Sequence, residues 1–351
     1  MISLTELLLE LSGAFGPPGG EGEIRRIFRT RCPQVPWQTQ RMGNIFAEIP
    51  GQVGGPRVML AAHMDEVGIM VQSITEHGWA RFITLGAWPG ASLPAQRFRF
   101  HNRRNQSYIG VTGAVPPHFL REEERQRGLR VEDLHLDFGV PSRQVLADLG
   151  VAIGDLGVPD VQPVLLPTGY LVGKAWDDRA GCAVLLDVLQ RLAEHPNVLL
   201  PVGTVQEEVG TRGMRVAGRE LRPDVAIILE GAPTDERPGA AAQTVLGGGP
   251  QLRYYDATMI AHRGLVQWLA DLAAMEGFPH QLAVRVSGGT DAGAVHLEGE
   301  GIPTVVVGVP VRYAHGHQGL ISLADVEAAV CLLTLAIGRL DAATLARLVE
   351  A

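Results

Sequence analysis

A chain of 351 residues, 46% hydrophobic and 19% charged, is long and apolar enough for a large packed core, with room for two domains or for one domain carrying an insertion. Acidic residues outnumber basic ones by 38 to 30, and the resulting charge of −8 argues against a nucleic-acid partner; 5% aromatic residues argue against base-stacking platforms. Cys32, Cys182 and Cys331 lie far apart with no CxxC pair, which argues against a disulfide framework or a thiolate zinc cluster and for buried small hydrophobes.

The first predicted element is an amphipathic helix in MISLTELLLELSG. Glu6 and Glu10 interrupt its apolar residues and no basic stretch precedes them, so it does not read as a signal peptide. A buried strand follows at 57–62. From 71 to 164 the pattern changes to short alternating stretches at 80–84, 97–101 and 108–115, broken by Gly and Pro, as in a small β-barrel or sandwich. Inside that segment, REEERQRGLR at 121–130 reads as an exposed, solvated loop or helix. A helix is predicted over 177–194, with Ala180, Ala183, Val184, Val188 and Leu192 on one stripe. Strands at 198–205, 225–229 and 304–309 then alternate with helices at 259–275 and 323–340. No apolar run reaches the ~18–20 residues of a membrane span, so a soluble cytoplasmic protein with no membrane partner is expected. The alternation predicts an α/β domain over 1–70 and 165–351, with a central β-sheet flanked by helices, and a β-rich domain inserted at 71–164.

Ligands of open α/β sheets bind beyond the carboxyl ends of the strands, and the polar residues of this chain collect there. VMLAAHMDEVG ends in His63 and Asp65, two residues apart and on one face if the strand continues. KAWDDRAG places Asp177 and Asp178 at a helix start; they read either as cap and first-turn acid, or with Asp177 bridging two metal ions through its two oxygens. VGTVQEEVGTRG places Glu207 and Glu208 where a strand meets a Gly-rich turn. On an extended backbone they would point to opposite sides, one suited to a metal and one to a water. AIILEG ends in Glu230, and VVVGVPVRYAHGHQG carries His315 and His317 beyond a strand. His262 and His296 read as structural.

AAHMDEVGIMV, AWDDRAG, QEEVGTRG, ILEG, GTDAGA and VRYAHGH, in this order, resemble the glutamyl/leucyl aminopeptidase family, peptidase family 42 of the metallopeptidases. GPPGGEGEIRRIF, VPPHFL and LADVEAAV extend the resemblance over nearly the whole chain. It implies a zinc-exopeptidase-like catalytic domain with an inserted β-barrel domain that serves dimerisation, and dimers that assemble into a tetrahedral dodecamer. It implies two divalent ions per subunit, zinc or else cobalt or manganese. His63, Asp177 and Glu230 would hold one ion, and Asp177, Glu208 and His315 the other. Glu207 would be the general base toward a metal-bridging water, Asp65 the acid that orients the site, and Asp291 a residue that shapes it from outside. The implied reaction removes residues from peptides with a free N-terminus. Glu230 stands where many relatives carry Asp, and His317 lies two residues beyond the expected ligand. A deacylase or dipeptidase using the same metal pair is the alternative. A glycosidase needs two facing carboxyls and neither the two histidines nor a bridging Asp. A non-catalytic assembly protein would have lost ligands.

Overall fold

Four parallel strands, in the order Val198–Thr204, Arg57–His63, Val225–Pro233 and Thr304–Val311, form the middle of a nine-stranded sheet. The computed structural model describes residues 2–102, 106–127, 129–239 and 241–350. The four strands read RVMLAAH, VLLPVGT, VAIILEGAP and TVVVGVPV and are buried almost throughout. Continuous apolar runs of this kind suit strands covered on both faces. The antiparallel pair Ile45–Phe46 and Gln38–Thr39 extends the sheet on one side; on the other, Gln251–Asp256 runs antiparallel to Thr304–Val311 and carries Met259–Ile260 and Gln281–Val284. Helices flank this sheet. Trp176–Arg191 is buried over most of its length and packs on the strands, with Leu4–Gly13 and Leu323–Arg339 against it.

The N-terminal helix starts at a capping box in which Ser3 and Glu6 bond reciprocally. Glu6 therefore closes the cap, while Leu7, Leu8 and Leu11 face the core. The helix expected from 259 begins at Arg263, because Met259–Ile260 turns back to pair with Gln251–Asp256.

Between Arg57–His63 and Trp176–Arg191 the chain forms a closed six-stranded barrel, Gly68–Ile74, Ala80–Leu85, His135–Asp137, Ser107–Gly113, Arg97–His101 and Leu156–Pro159 in spatial order. It has its own core, including Ile69, Val71, Phe82, Phe98, Phe100 and Leu136. In RFRFH the two phenylalanines point into that core, as alternation requires. Val164–Leu165 pairs outside the barrel, with Tyr170–Gly173. In the charged segment, Glu122–Arg127 is a short exposed helix and Gly128 lies outside the described residues. The three cysteines are free. Among the described residues no single helix is long and apolar enough to cross a membrane.

Candidate metal centre

The carboxyl ends of the parallel strands converge on Asp177. Its Oδ1 lies 3.1 Å from His63 Nε2 and its Oδ2 lies 3.2 Å from His315 Nε2. Glu208 Oε1 is 3.5 Å from the same His315 nitrogen. Two clusters result, His63–Asp177–Glu230 and Asp177–Glu208–His315, and within each the candidate ligand atoms lie within 4.8 Å of one another.

The local backbone explains how these residues meet. Asp177 and Asp178 have non-helical dihedrals inside Trp176–Arg191, so Asp177 is not a plain first-turn acid. Asp178 does the capping: its carboxylate accepts the Gly181 N–H at 3.0 Å and the His63 N–H at 3.2 Å. Glu207 and Glu208 do not alternate across a strand as the sequence suggests. The strand ends at Thr204, Gln206 adopts a φ of +58°, and both carboxylates turn into one cleft. Asp65 fixes that turn, accepting the Glu207 N–H at 2.9 Å and the Glu208 N–H at 3.1 Å. Its carboxylate also lies 3.6 Å from His63 Nδ1. Behind it, Glu66 is buried between Lys174, at 2.6 Å, and Arg179, at 3.1 Å, which tie the His63 and Asp177 segments together.

Gly231 makes the close approach of Glu230 to Asp177 possible. A Cβ there would lie 2.3 Å from Asp177 Cα. Gly231→Ala is therefore expected to destabilise the chain by about 1–3 kcal/mol, the usual range for overpacking, and to lower its metal content. Urea unfolding and elemental analysis check both.

The electrostatics are those of a cation site. Burial pushes Glu207, Glu230 and Asp178 well above the usual carboxylate range, Glu208 up to about 8 and Asp291 up to about 6. Burial acts the same way on Asp177, but bonds from His315 and His63 outweigh it and hold this carboxyl below its ordinary value. Burial opposes protonation of His315, yet Asp177 and Glu208 raise it to about 10. His63 is raised for the same reason by Asp177 and Asp65. Glu208 Oε1 and Glu230 Oε2 are buried and accept no hydrogen bond among the described residues. Orphaned buried carboxylate oxygens are costly without a cation. Carboxylate and imidazole donors without thiolate suit a divalent ion such as zinc, cobalt or manganese, so the residues fit a metal.

The remaining candidates lie outside both clusters. His317 is buried against Trp88 and Phe98, with ring centroids at 5.3 and 4.9 Å, and burial lowers it to about 4. His296 Nδ1 bonds its own helix at Ala292 O, and His262 precedes the helix Arg263–Glu276. Asp291 accepts the Thr204 hydroxyl at 2.5 Å and contributes to raising Glu207. Nothing in the sequence pattern assigns Asp178 a site role beyond its adjacency to Asp177. The Ala87 carbonyl lies 2.8 Å from His315 Nδ1 across 228 residues of chain, and no local sequence pattern marks that contact. The cleft over the clusters has a volume of about 460 Å³, and Arg253 and Arg285 form part of its wall.

Residues 43–332 match the family model described as M42 glutamyl aminopeptidase. The chain is 35% identical over 314 residues to the glutamyl aminopeptidase of Lactococcus lactis subsp. cremoris (strain MG1363), covering 88% of each protein. It superposes on the TET aminopeptidase of the marine sediment archaeon Thaumarchaeota archaeon SCGC AB-539-E09 with a TM-score of 0.95 and 35% identity, over 98% of each chain. It is also similar, with a TM-score of 0.87 and 28% identity over 96% of this chain and 100% of the other, to the Pyrococcus horikoshii TET1 peptidase, which can assemble into a tetrahedron or a large octahedral shell. The chain therefore belongs to the M42 glutamyl aminopeptidase family of metal-dependent peptidases.

Proposed function

We propose that this metal-dependent aminopeptidase removes N-terminal residues from peptides at a centre for two divalent ions, with Glu207 as general base. The observation that carries this reading is Asp177, which presents one carboxylate oxygen to each histidine and is shared by two three-residue clusters. His63, Asp177 and Glu230 would hold one ion and Asp177, Glu208 and His315 the other, zinc or else cobalt or manganese. Bound there, the ions supply Lewis-acid polarisation of the scissile carbonyl and acidify the attacking water. Glu207 belongs to neither cluster, and its backbone is fixed by Asp65. Its carboxylate takes a proton from the attacking water and delivers one to the leaving nitrogen. The acidic cluster draws the free ammonium of the substrate into the cleft.

The cleft wall bears on the side chain preferred. Arg253 is paired with Asp256, whereas among the described residues Arg285 bonds the neutral oxygens of Pro233 and Thr244. An acidic N-terminal residue is thus favoured over a basic one, by about 10–100-fold in kcat/KM for one charge-assisted bond. A panel of aminoacyl chromogenic substrates, with and without chelator, tests both statements. The expected result is chelator-sensitive cleavage with glutamyl above lysyl. Cleavage of N-acylated substrates alone would establish the deacylase alternative instead.

The shells formed by the Pyrococcus horikoshii relative support a homo-oligomer here, built from dimers into a tetrahedral dodecamer, with the barrel as the assembly domain. Light scattering checks it, and a stable monomer rejects it. Three unpaired cysteines suit a reducing, cytoplasmic compartment.

A further inference from the structure

His317 is a buried histidine that the proposed chemistry leaves unused, and its surroundings belong to the inserted barrel. The residue is 7% exposed, and its ring is wedged against Trp88 and Phe98. Trp88 is anchored in turn, donating its Nε1–H to Gly68 O at 3.0 Å. The residues just before Trp88 lie beside both non-shared members of one cluster and bond one of them. Ala87 O lies 2.8 Å from His315 Nδ1. A carbonyl only accepts, so Nδ1 carries a proton, and Nε2, which faces Asp177 and Glu208, is the nitrogen left to take a metal once its own proton is displaced. Gly86, at a φ of +84°, lies close to the other member and leaves it room: a Cβ there would lie 3.0 Å from Glu208 Oε2. His63 is oriented from within the catalytic domain, by the Asp65 carbonyl at 3.1 Å and by Asp178.

We infer that residues 86–88 of the barrel, locked in place by the packing of Trp88 on His317, position His315 and Glu208 and so set the metal affinity of one cluster selectively. Only Gly316 separates His315 from His317, so a shift of the buried ring is passed to the ligand ring. His315 sits at a φ of +58°, a left-handed conformation that persists only where the surroundings impose it. His317 and Trp88 are positioning residues: neither is in a cluster. The His317 Nε2 is buried with no hydrogen bond among the described residues, so the ring acts through its shape. Phenylalanine should therefore replace it.

The inference rests on the metal-centre reading, and one experiment separates the two. Purified full-length chain is stripped of metal and titrated with Zn²⁺ by calorimetry, with ion content checked by elemental analysis. His317→Ala is expected to weaken one ion by about 10–100-fold and leave the other within about twofold, the weakened ion being the one that Glu208→Gln also weakens and Glu230→Gln does not. His317→Phe is expected to bind both ions like the wild type. A merely structural role would lower the melting temperature without this split. Equal weakening of both ions, or of neither, overturns the coupling while leaving the metal centre standing. A wild-type chain that takes up no ion overturns both. Should His317→Ala fail to fold, Trp88→Phe, which keeps an aromatic ring but loses the bond to Gly68, is read by the same criteria.

Discussion

Glu207→Gln is expected to lower kcat by about 10²–10⁴-fold, the range for loss of a general base, while both ions stay bound. The two halves of this result have separate causes. Glu207 is in neither candidate cluster, so the ligand sets are unchanged. Its backbone N–H is held by Asp65, so the amide side chain occupies the same place and cannot take a proton. Stability is not expected to fall. Burial, with Asp291, Glu208 and Asp65 adding to it and His63 opposing, pushes this carboxyl well above its ordinary range in the metal-free chain, so it is carried neutral there and a neutral amide is a close replacement. Elemental analysis, a thermal melt and steady-state kinetics on a glutamyl substrate check the three statements. A kcat near the wild-type value would reject the base. Glu208→Gln is the control, since it belongs to a cluster and should lose metal and activity together.

Residues whose positions follow from the sheet were readable from sequence. His63 ends a strand buried on both faces and His315 follows another, so the rule that ligands gather at strand ends points to them; Glu230 ends the apolar run of its strand, which itself continues to Pro233. The barrel was readable as a class because alternating burial in stretches such as RFRFH has a period of two. Its strand order was not, since closure pairs His135–Asp137 with both Ala80–Leu85 and Ser107–Gly113 across long loops. Contacts that hold the ligands were equally hidden. Glu66 with Lys174, Thr204 with Asp291 and Ala87 with His315 join distant segments and leave no periodic trace. The turn at Gln206 misled the reading of Glu207 and Glu208, because one residue at positive φ cancels the alternation that an extended strand would impose.

Asp177→Asn is expected to weaken both ions at once, each by more than the about 10–100-fold that loss of an outer-shell partner produces, and to abolish activity with them. The shared position dictates this. One oxygen faces His63 and the other His315, and an amide offers a single oxygen to two clusters. Glu230→Gln and Glu208→Gln each touch one cluster, so their losses fall on different ions and only Asp177→Asn reproduces the sum. The metal-free chain should respond in the opposite sense. There Asp177 is the anion that holds both imidazoles protonated, His315 up to about 10. Without it the two rings lose protons at lower pH, so fewer protons are released when metal enters the Asp177→Asn ligand set than when it enters the wild-type one. Calorimetric Zn²⁺ titrations in two buffers of different ionisation enthalpy measure that proton count directly. The outcome that sinks the bridging assignment is specific: an Asp177→Asn chain that loses one ion and keeps the other at wild-type affinity.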